Sequence, residues 1–99
     1  MDQNIISKLT AYFINQPVLK VWLFGSVARG EETPESDIDL LVQFDPEAKI
    51  GLFKHAGMML DLEELMKRAV DLVPDGCLFS WVKDTVEQDK ILIYERETV

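Results

Sequence analysis

The chain has 99 residues, of which 47% are hydrophobic and 28% charged, so it can form one domain with its own core and is not a disordered tail. Its 10 basic and 18 acidic residues give a net charge of −8, which repels phosphate backbones and argues against direct binding to duplex nucleic acid. The single cysteine, Cys77, excludes an internal disulfide and a cysteine-based zinc site.

The first half of the chain predicts two strands and two helices. Apolar residues recur at helical spacing over residues 2–15 and predict a helix that Pro17 ends. Residues 18–24 are almost wholly apolar and predict a short buried strand, followed by a short helix from Gly25 and a polar loop over residues 30–36. Residues 38–44 predict a second strand with two different faces. These faces are Ile38, Leu40, Val42 and Phe44 on one side, and Asp37, Asp39, Leu41 and Gln43 on the other.

The second half continues the alternation. Residues 52–68 predict a helix, residues 70–73 a third strand, and residues 74–76 a turn. A helix over residues 78–88 and a last strand or extended tail over residues 91–94 follow. The apolar side of the helix over residues 52–68 is predicted to be Ala56, Met59, Leu62, Met66 and Ala69. This order predicts one α/β (α+β) domain over residues 1–99, with a small mixed sheet of three to four strands flanked by helices.

The compartment follows from what the sequence lacks. The N-terminus has no basic start followed by an apolar run, which a secretory signal requires. The apolar stretches are also too short to span a bilayer, so no membrane association is expected. We therefore expect a soluble cytoplasmic protein.

Two aspartates stand at the start of the second predicted strand. Asp37 and Asp39 are two residues apart, so their carboxylates share one face of a strand whose other face is apolar. Neighbouring carboxylates repel each other unless a cation or a proton lies between them, and hard oxygen ligands suit Mg²⁺ or Mn²⁺. Alone, such a pair is more often solvent-facing, and glycosyltransferases also use one to bind metal-bound sugar nucleotides.

Gly25 and Ser26 follow the first strand and open the short helix. Glycine lets a phosphate approach the backbone, a helix start offers free N–H groups, and the Ser26 hydroxyl can donate to a phosphate oxygen. An ordinary strand-to-helix turn is the alternative. Gly25 and Gly30 have P-loop spacing, but Glu31 and Glu32 stand where a P-loop requires Lys and Ser or Thr, which excludes that motif.

Together these features resemble a known family. The run Gly25-Ser26-x3-Gly30-x5-Ser36-Asp37-x-Asp39-Leu40 resembles the nucleotidyltransferase superfamily that includes DNA polymerase β, and especially its minimal nucleotidyltransferase (MNT) branch. The resemblance is strongest over residues 21–42 and extends over most of the chain. It implies a nucleotidyltransferase fold and the transfer of a nucleoside monophosphate, expected to be AMP from ATP, to an acceptor hydroxyl.

The resemblance also implies a third carboxylate on a neighbouring strand, for which Asp71 is the candidate; the alternative is an edge-strand aspartate that points to water. It further implies that Asp37, Asp39 and Asp71 hold two Mg²⁺ or Mn²⁺ ions, with Asp71 as a base for the acceptor hydroxyl. Arg29 fits charge neutralisation near the phosphates and, equally, a surface ion pair with Glu31 or Glu32. The residues assigned to nucleotide binding are Gly25, Ser26, Arg29, Gly30 and Ser36.

The acceptor stays open at this point. Because MNT proteins commonly pair with a HEPN-type ribonuclease toxin, the resemblance implies an antitoxin that places AMP on a tyrosine of that toxin. The net charge of −8 is compatible with a basic partner. A small-molecule nucleotidyltransferase that works as a homo-oligomer, and a catalytically silent antitoxin that acts by contact, are the alternatives.

Overall fold

The computed structural model describes residues 3–31, 33, 36–76 and 86–96. The helices are α1 (Gln3–Phe13), α2 (Gly25–Arg29) and α3 (Leu52–Met66), and the strands are β1 (Val18–Phe24), β2 (Ile38–Phe44), β3 (Val70–Pro74) and β4 (Ile91–Glu95). Residues 86–89 are also helical. Much of the helix predicted over residues 78–88 lies outside the described residues. The last predicted segment is a strand and not an extended tail.

The four strands form one mixed sheet in the order β3-β2-β1-β4. The strand β1 pairs antiparallel with both β2 and β4, whereas β2 pairs parallel with β3. The parallel pair arises because α3 connects the end of β2 to the start of β3 and returns the chain to the end of the sheet where β2 begins. The strands β2 and β3, next to or on which the predicted aspartates lie, therefore start at the same end of the sheet. The predicted mixed sheet flanked by helices is confirmed.

One face of the sheet forms the main core, against which α1 and α3 pack. On this face of β2, Ile38, Leu40 and Val42 are fully buried, as the sequence pattern predicts, and Phe44 is partly buried against the same cluster. Each of these helices buries one side. The buried side of α1 consists of Ile5, Leu9 and Phe13. The main cluster consists of Ile5, Leu9, Phe13, Val18, Val21, Leu23, Val27, Ile38, Leu40, Val42, Met58, Leu62, Val70 and Leu72.

The predicted apolar side of α3 is only partly right. Leu62 is buried, and Met59 and Met66 pack against the core, but Ala56 and Ala69 are exposed and Met58 takes a core position. The cause is that α3 is apolar on several sides. Its outward side leaves Leu52 80%, Phe53 93% and Leu60 66% exposed, so spacing alone cannot select the buried face.

The helix α3 also ends two residues earlier than predicted. Lys67 takes the left-handed conformation, with φ of 57°, and its N–H donates to the Glu63 carbonyl at 2.8 Å. A left-handed residue stops a helix and turns the chain sharply. Arg68 therefore leaves the helix and points back toward the loop before β2.

The opposite face of the sheet is more open. It carries Asp39 and Leu41 of β2 together with Phe24 and Trp22 of β1, which face them across the antiparallel ladder. The strand over residues 18–24 is predicted to be buried, but its residues Trp22 and Phe24 are only half-buried on this second face. The Lys90 ammonium lies 4.7 Å from the centre of the Trp22 ring, so the Lys90 side chain covers part of this face.

Candidate active site

The strand β2 orients Asp39. Its neighbours Ile38 and Leu40 are fully buried in the core, so alternation turns Asp39 onto the opposite, more open face. Asp39 is in register with Asp71 across the parallel ladder. Residues paired in this way point to the same side of a sheet whose strands are about 4.8 Å apart, so the two carboxylates are neighbours. Asp37 is exposed and lies immediately before β2.

Electrostatic interactions link the three aspartates. The pKa of Asp39 is raised, first by burial and then by the negative charges of Asp71 and Asp37. The positive charge of Arg29 acts in the opposite direction. The ionised form of Asp39 is thus disfavoured by its surroundings, and a cation between the carboxylates would relieve this cost.

Asp71 has features of both predicted roles, a third carboxylate of the site and an edge-strand aspartate that points to water. It is exposed on an edge strand, as the water-facing alternative expects, yet it also interacts with Asp39. Its exposure removes the desolvation cost that a buried lone charge would carry. Solvent and a second molecule can therefore reach the Asp71 carboxylate.

Gly25 brings the backbone up against Asp39. It has φ of 75°, and a Cβ atom added there would lie 3.1 Å from Cγ of Asp39 and closer still to its carboxylate oxygen. Only glycine fits both the left-handed conformation and this approach. Gly30 also has φ of 75°, but a Cβ there would meet nothing within 4 Å. Gly30 ends α2, and its N–H donates to the Val27 carbonyl at 3.2 Å.

Arg29 is engaged in two ion pairs. Its Nε lies 3.0 Å from Glu31 Oε2, and its Nη1 lies 3.1 Å from Asp89 Oδ2. The predicted surface pair with Glu31 is therefore present. The pair with Asp89 is not visible in the sequence, because 60 residues separate the partners. Arg29 is nevertheless close enough to Asp39 to oppose the rise of its pKa.

Ser36 lies in the loop before β2, with its hydroxyl turned into that loop. Its Oγ accepts a hydrogen bond from the Thr33 backbone N–H at 2.8 Å and lies 3.2 Å from Thr33 Oγ1. Its carbonyl accepts two hydrogen bonds from the Arg68 guanidinium. The structure thus gives Ser36 a role in the shape of the loop, and its contact with a nucleotide stays a prediction.

Two residues that contact segments next to the site, Arg68 and His55, lie outside the motif that carries the family resemblance. Arg68 stands at the end of the predicted helix over residues 52–68, and His55 lies within that helix. His55 is half-buried, and its Nε2 lies 2.6 Å from the Leu72 carbonyl oxygen, one residue after Asp71. Since that oxygen can only accept, Nε2 carries the proton. The signal for His55 is its spacing of three residues from buried Met58 on the inner side of α3.

The donor chemistry fits a divalent cation. Three interacting carboxylates supply hard oxygen ligands, and Mg²⁺ commonly needs only one or two of them because substrate phosphates and water complete its shell. Within the described ranges, no three His, Cys, Asp or Glu side chains are close enough to hold a metal ion as they stand. The described helices also include none that is long and apolar enough to cross a membrane.

Comparison with known sequences gives a family. The chain matches the model of the nucleotidyltransferase domain family over residues 6–97. The protein adenylyltransferase MntA of Thermococcus cleftensis is 36% identical to it over 76 residues, which cover 77% of this chain and 75% of that protein. A Methanocaldococcus jannaschii protein, named by inference as a protein adenylyltransferase, is 36% identical over 77 residues that cover 77% of each chain.

Solved structures share the fold. The crystal structure of a toxin–antitoxin pair with AMP-PNP matches with a TM-score of 0.72 at 22% identity, covering 98% of this chain and 76% of that one. A tri-AMPylated Shewanella oneidensis HEPN toxin in complex with an MNT antitoxin gives a TM-score of 0.72 at 17% identity, covering 97% and 74%. At these identities the likeness establishes the fold.

Proposed function

The chain belongs to the nucleotidyltransferase domain family, and we propose that it transfers AMP from ATP to a hydroxyl of a partner protein. One observation carries the proposal. Asp39 and Asp71 are in register on parallel strands, and the pKa of Asp39 is raised by burial and by the charges of Asp71 and Asp37. Such a cluster is costly by itself and is stabilised when a divalent cation binds it.

In this proposal Asp37, Asp39 and Asp71 hold the metal ions. Bound Mg²⁺ would neutralise the triphosphate and lower the pKa of the attacking hydroxyl. Asp71 is exposed, so an acceptor hydroxyl that arrives from solvent can reach it and give up its proton there. The acceptor oxygen then forms a bond to the α-phosphorus while the bond from that phosphorus to the bridging oxygen breaks, and pyrophosphate leaves.

The turn between β1 and α2 binds the phosphates. Gly25 has no side chain, so the triphosphate can approach the backbone beside Asp39. The Ser26 hydroxyl and the first N–H groups of α2 donate to phosphate oxygens. Gly30 takes the left-handed conformation and ends α2 after Arg29. The Arg29 guanidinium pairs with Glu31 and Asp89, and it binds the triphosphate when the triphosphate displaces these carboxylates.

The ion pair with Asp89 gives a prediction for Arg29. Asp89→Asn removes one of the two carboxylates that compete with ATP for the guanidinium, so the KM for ATP should fall. Exposed ion pairs are weak, so we expect the KM to decrease by no more than about fivefold. Steady-state kinetics with varied ATP measure it.

Glu87→Gln is the matched control, since Glu87 pairs with Lys90 at 2.9 Å and not with Arg29. It should leave the KM for ATP unchanged. If Asp89→Asn also leaves the KM unchanged, Arg29 is a surface ion-pair residue and has no part in nucleotide binding.

The partner we propose is a HEPN-type toxin, with a tyrosine hydroxyl as the acceptor and the chain as its antitoxin. Two findings support this choice. The relative from Thermococcus cleftensis is named as a protein adenylyltransferase, and the Shewanella oneidensis complex contains an AMPylated HEPN toxin with an MNT antitoxin. The net charge of −8 also favours encounter with a basic partner.

The chemistry can be tested with two labels. The chain and its native partner are incubated with Mg²⁺ and ATP labelled on either the α- or the γ-phosphate. Transfer of AMP predicts that the α-label alone appears on the partner, and that chelation of Mg²⁺ prevents this. A γ-label on protein would mean phosphoryl transfer and would contradict the proposal. No label on a partner that is still bound and silenced would instead favour inhibition by contact.

A further inference from the structure

The position of Asp37 is set by Arg68 and Ala69, the two residues that precede β3. Asp37 precedes β2, so the sheet ladder does not hold it directly. Instead, the Ser36 carbonyl accepts hydrogen bonds from Arg68 Nε at 2.9 Å and Nη2 at 2.6 Å. The Ile38 N–H donates to the Ala69 carbonyl at 2.9 Å. Both peptide groups that flank Asp37 are therefore held by two consecutive residues.

Those two residues lead directly into β3, which carries Asp71. Arg68 reaches the loop because Lys67 takes the left-handed conformation and turns the chain at the end of α3. Arg68 Nη2 also donates to the Thr33 carbonyl at 3.2 Å, so the same guanidinium spans two carbonyls of the loop. A planar guanidinium can make such a set of bonds in a fixed geometry, whereas a lysine ammonium is a single point of charge.

We propose that Arg68 is a positioning residue, which fixes Asp37 relative to Asp71 and so sets the spacing of the metal-binding carboxylates. The inference rests on the proposed function. Beyond that function, the relative position of Asp37 and Asp71 is assigned to the side chain of Arg68, which lies just before β3. Arg68 itself bonds to backbone carbonyls in this arrangement, and its effect on the metal passes through Asp37.

Binding of Mn²⁺ to the free protein tests this without turnover. Arg68→Lys keeps the positive charge but loses the planar guanidinium that bonds to two carbonyls. Mn²⁺ affinity, measured by electron paramagnetic resonance, should therefore fall about tenfold. Such losses follow mutation of residues that orient metal ligands. Arg96→Lys is the matched control. Arg96 is also a half-buried arginine that bonds to a carbonyl and a carboxylate, and it should leave Mn²⁺ affinity unchanged.

A double-mutant cycle separates positioning from a general loss of stability. In an Asp37→Asn background, Arg68→Lys should weaken Mn²⁺ binding no further. Independent, additive losses would overturn the inference, as would unchanged Mn²⁺ affinity in a less stable Arg68→Lys protein. If Arg68→Lys folds poorly, Arg68→Gln is the second variant: its amide cannot make all three bonds of the guanidinium, so Mn²⁺ affinity should fall, and an unchanged affinity would overturn the inference. Absence of Mn²⁺ binding by the wild type would instead overturn the proposed function, and this inference with it.

Discussion

Gly25→Ala should reduce AMP transfer by about 100-fold or more, the scale of loss that follows a shift of about 1 Å in a catalytic group. The added Cβ would meet the Asp39 carboxylate, so either Asp39 or the turn at the start of α2 must move. The variant should also lose stability. The left-handed conformation costs roughly 1–2 kcal/mol for a residue with a Cβ, and the overlap adds about 1–3 kcal/mol. Transfer kinetics and urea unfolding measure the two effects.

Gly30→Ala is the matched control. Both glycines have φ of 75°, but open space surrounds the Cβ position at Gly30. Gly30→Ala should therefore show only the conformational cost and keep most of its transfer activity. Equal losses of activity in the two variants would mean that backbone strain, and not contact with Asp39, explains the requirement for glycine at position 25.

Asp39→Asn should abolish detectable transfer, by about 1000-fold or more, yet yield a more stable fold at neutral pH. Under the proposed mechanism, the variant would lose the several kcal/mol of charge stabilisation that bound metal ions supply. The gain follows from the sign of the pKa shift. The pKa of Asp39 is raised above its ordinary value of 3.8, so its ionised form is less favourable in the folded state than in the unfolded chain. Asparagine removes that cost.

The pH dependence of stability tests this sign. In metal-free buffer, the gain from Asp39→Asn should be largest near pH 7. It should shrink as the pH falls through the raised pKa and vanish below 3.8, where the carboxyl is protonated in both states. Asp45→Asn is an opposite control, because the hydrogen bond from Arg96 lowers the pKa of Asp45. It should destabilise the protein at neutral pH and lose this effect in acid. A neutral or destabilising Asp39→Asn at pH 7 would contradict the assigned electrostatics.

The sequence predicts the strand that carries the site for a clear physical reason. Along β2, apolar residues alternate with Asp39 and Gln43, and alternation fixes which side meets the core. The buried Ile38 and Leu40 confirm this orientation. The run from Gly25 to Leu40 is specific enough to identify the family, which the match over residues 6–97 confirms. The site roles of the residues in that run remain predictions.

Other features depend on contacts that no local pattern records. The pair between Arg29 and Asp89 joins residues that are 60 positions apart in the chain. Arg68 looks like part of a helix until the left-handed turn at Lys67 is known, and this turn uses no glycine as a signal. Leu41 stands on the polar side of β2 by alternation but is fully buried outside the main cluster, because the second face of the sheet is also partly covered.

The most direct test of the central claim is mass spectrometry of the native partner after co-expression with the chain. With wild type, AMP is expected on a tyrosine of the partner. With Asp71→Asn, the partner is expected to be unmodified and still to co-purify. AMP at the same level with Asp71→Asn would contradict the three-carboxylate site, and an unmodified partner with wild type would contradict AMP transfer as the activity of this chain.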